Sequence, residues 1–476
     1  MAKAKPRLDL AVVHLTIEGI AAGGGGVCTV TRGHLGSLPR VRKALAAEGI
    51  KLTPYFVETH FGPGYGHFDE AHLVKARKAI RAMGGEYYSV LNRSPAGLPI
   101  SSNWPGGENF FGTMEQIRLE SAGAASVARS IGRNHEASVI YCHDTFFMLS
   151  PVYGTMQDND RTVEWLRVVH STTLKHDEEP VDPDKIGAEF ASFYWARQYP
   201  NVHIGAISTF ISEHLVRDYA VDPGRIVPTG NGVDPLDRKF RVRSEREIVK
   251  TIKKYNGTLA GAGRERHQIP LDRKLVFSFG RPVPYKRLDL TLEVMRHLPE
   301  EYHPVIVTLG EYPELAAQAE QLGRPATVLN AFDYDLCACL SQYANTVAVP
   351  ILAYDEPFGL IPAELRLLVR KSGGLLIVPS DGGGLAEQVT DGVDGLVVKE
   401  PGKDIRRLAK CVQDIDALGP RDRRRIRENG LKLVFTGGYT WSGRILETLS
   451  AVNPEVRRVG KRVLAAIAAE ERAAIS

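Results

Sequence analysis

The sequence is short of cysteine, of net charge and of long apolar runs, and each shortage closes off a class of protein. Five cysteines (Cys28, Cys142, Cys337, Cys339 and Cys411) are scattered over 476 residues. Cys337 and Cys339 form a C-x-C inside a helical pattern, with no histidine or second cysteine pair nearby. Reduced thiols in a cytoplasmic protein are the expectation, and a zinc site is not. The formal net charge of +4 is small for the length. It argues against a nucleic-acid partner while leaving room for a local basic groove that takes phosphates. No apolar run is long enough to span a bilayer, so stable membrane insertion is not expected. The opening "MAKAKPRLDLAVVHL" is basic, but its apolar stretch is brief and carries Asp9. It reads as a charged tail entering a first strand and not as a signal peptide. Internal repeats and low-complexity segments are missing as well.

What is present is the balance of a globular protein, 43% hydrophobic and 24% charged, with length for two large domains. Short runs that are apolar along their whole length recur through the chain. They are "LDLAVVH", "KLTPYFVE", "YYSVL", "ASVIYCH", "LRVVH" and "NVHIGAIS" in the first half, then "KLVFSFG", "HPVIVTL", "ATVLN", "TVAVP", "GGLLIVPS" and "DGLVV". Helical patterns such as 113–134 and 209–219 lie between them. Uninterrupted apolar runs are what parallel strands covered on both faces look like. Two doubly wound α/β domains follow. Pro228, Gly230 and Gly232 break regular structure within "VPTGNGVDPLD". The expected division is 1–228, 229–450, and a terminal segment 451–476. That last segment carries Val456, Val459, Val463, Leu464 and Ile467 at helical spacing and is expected to cross back to the first domain. The charged, strand-free stretch 238–272 is expected to hold a helix.

Five stretches carry chemistry. "AAGGGGVCTVTRG" follows the first strand and precedes a helix expected to start near Leu35. Its glycines let backbone approach a ligand, and a helix N-terminus favours an anion. It fails the dinucleotide fingerprint, because Thr29 stands where the third glycine belongs. In "FSFGRPVPYKRLDL" a strand ends at Gly280, with Arg281 next and Lys286 and Arg287 opening a helix. Cations at a strand's carboxyl end suit a diphosphate. In "YDEPFGLIPAEL" Glu356 sits at a strand-to-helix corner, and Gly359 and Leu360 fall where first-turn N–H groups point outward. A carboxylate there accepts two hydrogen bonds from sugar hydroxyls, and Glu364, further along, suits a ribose diol. "PSDGGGLAEQVTDGVDGLVV" is a further glycine corner whose Gly382–Gly384 amides suit the same anion, or an ordinary loop. His143 and His170 each end a strand of the first half.

In order and spacing these residues resemble glycosyltransferase family 4, retaining enzymes of the GT-B fold, from about residue 8 to 450. The resemblance rests on Gly23–Gly26, the "STFISEHLVRDYAVDPGRIVPTGNGVD" segment, "GRPVPYKR", the E-x7-E pair Glu356–Glu364, and "DGGGLAEQVTDGVDGLVV". It implies two Rossmann-like domains facing a central cleft, with acceptor on the first and donor on the second. It implies that Arg281 and Lys286 hold the donor diphosphate and Glu356 the sugar. Phe358, Gly359 and Leu360 would line phosphate and sugar, Glu364 would take the ribose, and Gly24 and Gly25 would approach the phosphate. His143 resembles the histidine near the transferred sugar, and Asn231 to Asp234 resembles the hinge. The stretch "LRLLVRKSGGLLIVPSDGGG" is longer than the family pattern, with Arg370 and Lys371 in the extra length. Residues 94–112, rich in Gly, Pro and aromatics, match no family pattern and read equally as an acceptor loop, with Trp104 and Asn109, or as plain surface. His170 joins them as an acceptor candidate.

The expected activity is retaining transfer of a hexosyl group, glucose or N-acetylglucosamine favoured, from a nucleoside diphosphate sugar to an acceptor hydroxyl on a small molecule or glycan. The donor is expected to be UDP-linked on family frequency. The leaving group would be stabilised by cations without a metal, His143 would position and not bond, and no further cofactor is expected. The chain is expected to be a monomer or homodimer. An epimerase or phosphorylase on the same fold, or a non-catalytic nucleotide-sugar binder, are the alternatives.

Overall fold

A computed structural model describes residues 6–23, 25–59, 68–90, 113–157, 160–176, 182–261, 264, 267–330 and 333–475. They form two compact units, Met1–Asp234 with Thr440–Ala474, and Pro235–Tyr439.

The first unit is built on seven parallel strands: β1 (Leu8–Thr16), β2 (Ile50–Thr59), β3 (Tyr87–Val90), β4 (Ala137–His143), β5 (Val163–Val169), β6 (Val202–Ala206) and β7 (Ile226–Pro228). Their order is β3-β2-β1-β4-β5-β6-β7. The central strand β1 pairs with β2 from Leu8↔Ile50 and with β4 from Leu10↔Ala137, and its side chains are buried on both faces apart from the partly exposed Asp9. Six of the seven strands are the apolar runs read from the sequence. The seventh, β7, spans only three residues and ends at Pro228. It lies at the sheet's edge, where a residue without an N–H is tolerated.

The second unit has six parallel strands: β8 (Lys274–Gly280), β9 (Tyr302–Thr308), β10 (Thr327–Leu329), β11 (Thr346–Pro350), β12 (Leu375–Pro379) and β13 (Leu396–Val398). The order is β10-β9-β8-β11-β12-β13. Its core joins Val276, Ile306, Leu375 and Ile377 from the sheet to Leu408 and Val412 of the helix Ile405–Ala417. The charged stretch expected to hold a helix does so, over Glu245–Gly261. Among the described residues no helix is long and apolar enough to cross a membrane.

The expected breaks at 228/229 and 450/451 are corrected to 234/235 and 439/440. The cause is local. Val233 bridges to Thr440, and the Trp441 N–H donates to the Val233 carbonyl at 3.0 Å. Arg444 Nε donates to the Asn231 carbonyl. The returning chain therefore rejoins the first unit before helix Trp441–Val452 and not after it. The last helix, Pro454–Ile475, buries Val456, Val459, Val463 and Ile467, while Leu464 is only partly covered. It ion-pairs with the same unit through Arg462–Glu48 and Arg40–Glu471. Gly33, in helix Gly26–Ala47, lies so close to the Trp441 indole that a Cβ would overlap it, whereas Gly26 has no atom within 4 Å of that position. Gly33→Ala is expected to destabilise the protein by about 1–3 kcal/mol and Gly26→Ala to stabilise it by about 0.5 kcal/mol. Denaturant titration checks both, and equal effects would show that this packing does not carry the return.

Candidate functional site

In each sheet the chain first extends to one side of a starting strand and then continues on the other. The reversal lies between β8 and β11 in the second unit and between β1 and β4 in the first. At such a point the loops leaving the two strands part in opposite directions and open a crevice at their carboxyl ends.

In the second unit that crevice gathers the residues singled out after β8 and β11. The turn Pro284–Lys286 presents Lys286, whose Nζ lies 2.5 Å from Glu356 Oε2 and 4.8 Å from the Tyr285 ring centroid. Arg281 donates to the Tyr285 hydroxyl at 2.9 Å. Arg287 pairs with Asp381 at 2.9 Å and covers the Tyr354 ring. The corner itself is laced to the next loop. Gly384 N donates to the Glu356 carbonyl at 2.7 Å, and the Gln388 amide donates to the carbonyls of Phe358, Gly359 and Gly384. Gly359 has φ +74°, and a Cβ on Gly384 would come within 2.5 Å of the Pro357 carbonyl oxygen. Only glycine permits this approach. Gln388 carried no signal in the sequence, because its role depends on a loop that returns from the neighbouring strand.

Three expectations change in detail. The Phe358 side chain is buried, 2% exposed, and packs against Tyr439, so only its backbone faces the corner. Gly382 and Gly384 donate to Pro379 and Glu356 within the loop, which takes two of the three glycine amides from any anion. Glu364, in the first turn of helix Ile361–Leu368, is paired with Lys239 at 2.8 Å. Lys239 lies on the turn Arg238–Phe240 over the Tyr334 ring, and sequence reading missed it. Arg370, in the extra length after the second acid, donates to the carbonyls of Phe240 and Leu367. The insertion thus braces the turn that carries Lys239.

In the first unit the glycine loop is held by two internal carboxylates. Glu18 accepts from Gly25 N at 2.8 Å and Cys28 N at 3.0 Å, so the helix begins at Gly26 and not near Leu35. A side-chain carboxylate fills the anion position expected there, and the Gly25 amide is already committed. Glu58 is fully buried and accepts from Ile20 N, Ala21 N and the Tyr87 hydroxyl. Gly24, Trp104, Asn109 and the whole of 94–112 lie outside the described residues.

His143 ends β4 as expected but is corrected as a group that meets substrate. It is fully buried, and both ring nitrogens are taken, Nε2 by His14 at 3.1 Å and Nδ1 by His170 at 3.2 Å. His170, just past β5, is the partly exposed member of the group. His34 packs edge-on against both His14 and His143. Burial holds all four imidazoles below the usual histidine range, His170 at about 4 and His34 at about 3, so they are neutral near pH 7. His14 and His34 gave no sequence signal, one lying inside a strand and one inside a helix.

Glu58 supplies a pH test. Burial pushes its carboxyl up to about 8, against the pull of its N–H and O–H donors. A folded pKa above the unfolded value gives stability that is fully present in acid and lost as pH rises through the folded value. The unfolding free energy of the wild type should therefore fall between about pH 5 and 8 more steeply than that of Glu58→Gln, measured by denaturant titration across that range. Equal slopes would place the buried proton on another group.

A family model described as glycosyl transferases group 1 matches residues 262–433. A D-inositol 3-phosphate glycosyltransferase of Xylanimonas cellulosilytica is 32% identical over 196 residues, 39% of this chain and 42% of that protein. The chain thus spans about two fifths of that curated relative's length. Among solved structures, a glycosyltransferase from Rickettsia africae aligns with TM-score 0.58 at 16% identity, over 95% of this chain and 98% of its own. An Anabaena protein solved in complex with UDP-glucose aligns with TM-score 0.54 at 12% identity, over 95% and 99%. The fold is of the GT-B kind, and residues 262–433 of the second unit are similar to the group 1 glycosyl transferases.

Proposed function

We propose that this chain, whose residues 262–433 are similar to the group 1 glycosyl transferases, moves a hexosyl group from a nucleoside diphosphate sugar to an acceptor hydroxyl with retention of configuration. The observation that carries the reading is the Lys286–Glu356 pair at the carboxyl ends of β8 and β11. A cation and a carboxylate that neutralise one another at a switch point are matched to a ligand carrying both a phosphate and a polyol. The diphosphate draws Lys286, with Arg281 beside it, and Glu356 is released to accept from sugar hydroxyls. First-turn amides of helix Ile361–Leu368 add donors on the phosphate side. Glu364, steadied by Lys239, is spaced for the ribose.

The bond to break is between the anomeric carbon and the diphosphate oxygen, and negative charge grows on that oxygen as it breaks. Lys286 and Arg281 meet this charge in place, which lowers the barrier without reorganisation. The departing phosphate oxygen takes the proton of the attacking hydroxyl on the same face, so no protein nucleophile is assigned. UDP and glucose are the favoured base and sugar, in keeping with the ligand of the Anabaena protein. His170 in the first unit is proposed as an acceptor-binding residue.

UDP-glucose consumption with a panel of hydroxyl acceptors tests the reading. Lys286→Ala should lower kcat about a hundredfold, and Lys239→Ala should raise the donor KM about tenfold with kcat little changed. Product carrying the sugar on an acceptor supports transfer. Release of an isomerised nucleotide sugar would replace transfer by epimerisation, and binding without turnover would leave a nucleotide-sugar binder.

A further inference from the structure

Three buried imidazoles and a partly exposed fourth at the β1/β4 switch point are more than a sheet core needs. The nitrogens of His14, His34 and His143 lie within 4.8 Å of one another, which invites a metal reading, but the ring geometry points elsewhere. His14 and His143 have facing nitrogens 3.1 Å apart, centroids 5.5 Å apart and planes only 13° apart. His143 and His170 repeat the arrangement at 3.2 Å, 5.5 Å and 23°. Each centroid separation is close to the largest that its nitrogen contact allows, so the rings meet head-on and nearly in one plane. With the lone pairs aimed at each other, any point at about 2.0–2.1 Å from both nitrogens lies well off both lone-pair directions, which is poor ligation for a zinc ion. The same geometry is that of two consecutive in-plane N–H···N hydrogen bonds.

A neutral imidazole carries one N–H and one lone pair, so a chain of three must run in a single sense. In one sense each Nδ1–H donates outward, from His14 to His143 to His170, and His170 presents its own Nδ1–H. In the other sense His170 Nε2–H donates inward, and the chain ends in a His14 Nε2–H. That last nitrogen is buried and has no hydrogen-bond partner. The His14 ring is stacked between Phe56 and Tyr141, at 4.8 Å and 4.7 Å, so rotation is blocked. A buried N–H without an acceptor is rarer, and costs more, than an acceptor left bare. The inner end therefore keeps its lone pair, and the outward sense follows.

We propose that His14 and His143 are positioning residues that fix His170 as its Nδ1–H tautomer, a permanent hydrogen-bond donor to an oxygen of an acceptor bound to the first unit. The role of the donor rests on the proposed glycosyl transfer; the tautomer does not. The test uses the full chain with isotope-labelled histidine, assigned through single-histidine variants, and imidazole nitrogen chemical shifts that separate the two neutral tautomers, imidazolium and metal-bound rings. His143 and His170 are expected to carry their protons on Nδ1 near neutral pH and to ignore added zinc. Protons on Nε2, an imidazolium, or a zinc-dependent shift of the three rings overturns the proposal, whether or not any substrate has been found. With UDP-glucose turnover in hand, His14→Leu removes the inner donor. It should leave His170 as mixed tautomers and lower kcat/KM about tenfold with UDP affinity held, and His14→Asn, which restores an N–H at the Nδ1 position, should recover it. Unchanged turnover in His14→Leu would overturn the positioning role, and the spectrum decides for the tautomer where that variant does not fold.

Discussion

Every strand in both sheets runs parallel to its neighbours, and that constraint decides where chemistry is placed. Parallel strands send all their exits to one end of a sheet, and only at the reversal of strand order do two exits separate. The second unit puts Arg281 and Lys286 on the exit of β8 and Glu356 on the exit of β11. The first puts the glycine loop after β1 and His143 at the end of β4. Neither pair is near in sequence. The second-unit residues meet, and the first-unit ones share one end of their sheet, because β1 and β8 are the central strands from which their sheets grow outward in two directions.

At these places the protein answers its own charges. Glu18 occupies the N-terminus of helix Gly26–Ala47, Glu356 takes Lys286, and Lys239 takes Glu364. A partly buried charge left alone costs several kcal/mol, about 3–5 when a partner is removed, so the ligand-free protein cannot leave such groups bare. Under the proposed transfer, the consequence for binding is an exchange of partners. A phosphate would gain Lys286 only as Glu356 found hydroxyls, and a ligand with one of the two chemistries would leave the other group stranded. Selectivity for a molecule that carries both is then a property of the pair and not of either residue.

Strand content and unit number were legible because uninterrupted apolar runs such as "LDLAVVH" and "TVAVP", too short to span a bilayer, have few other uses in a globular chain. Arg281, Lys286, Glu356 and Glu364 were legible because each stands at a strand exit or a helix start, which local pattern marks. What escaped is what depends on distant pairing. Glu18 lies seven and ten residues before the two amides that donate to it, so the helix start was read too late. Lys239 meets Glu364 across 125 residues, and Gln388 serves carbonyls about thirty positions earlier. His14 sits in an apolar strand where a single histidine is ordinarily packing. His143 was found by position and misassigned in exposure, since the sequence does not say that two other histidines would consume both its nitrogens.

The placement of the C-terminal residues follows from the same accounting of partners. Arg40, in helix Gly26–Ala47, reaches Asp234, Glu471, Ser442 and Ser37. Glu471 is fully buried, and burial pushes its pKa up, so it depends on that guanidinium. Asp234 is the last residue before the chain leaves the first unit, and Ser442 comes just after it returns. One side chain therefore ties together the exit, the return and the final helix. The first unit closes its core only when residues some two hundred positions apart have met, whereas the second is continuous in sequence. Contacts that distant are slow to form, because loop closure must be met before the contacts repay it.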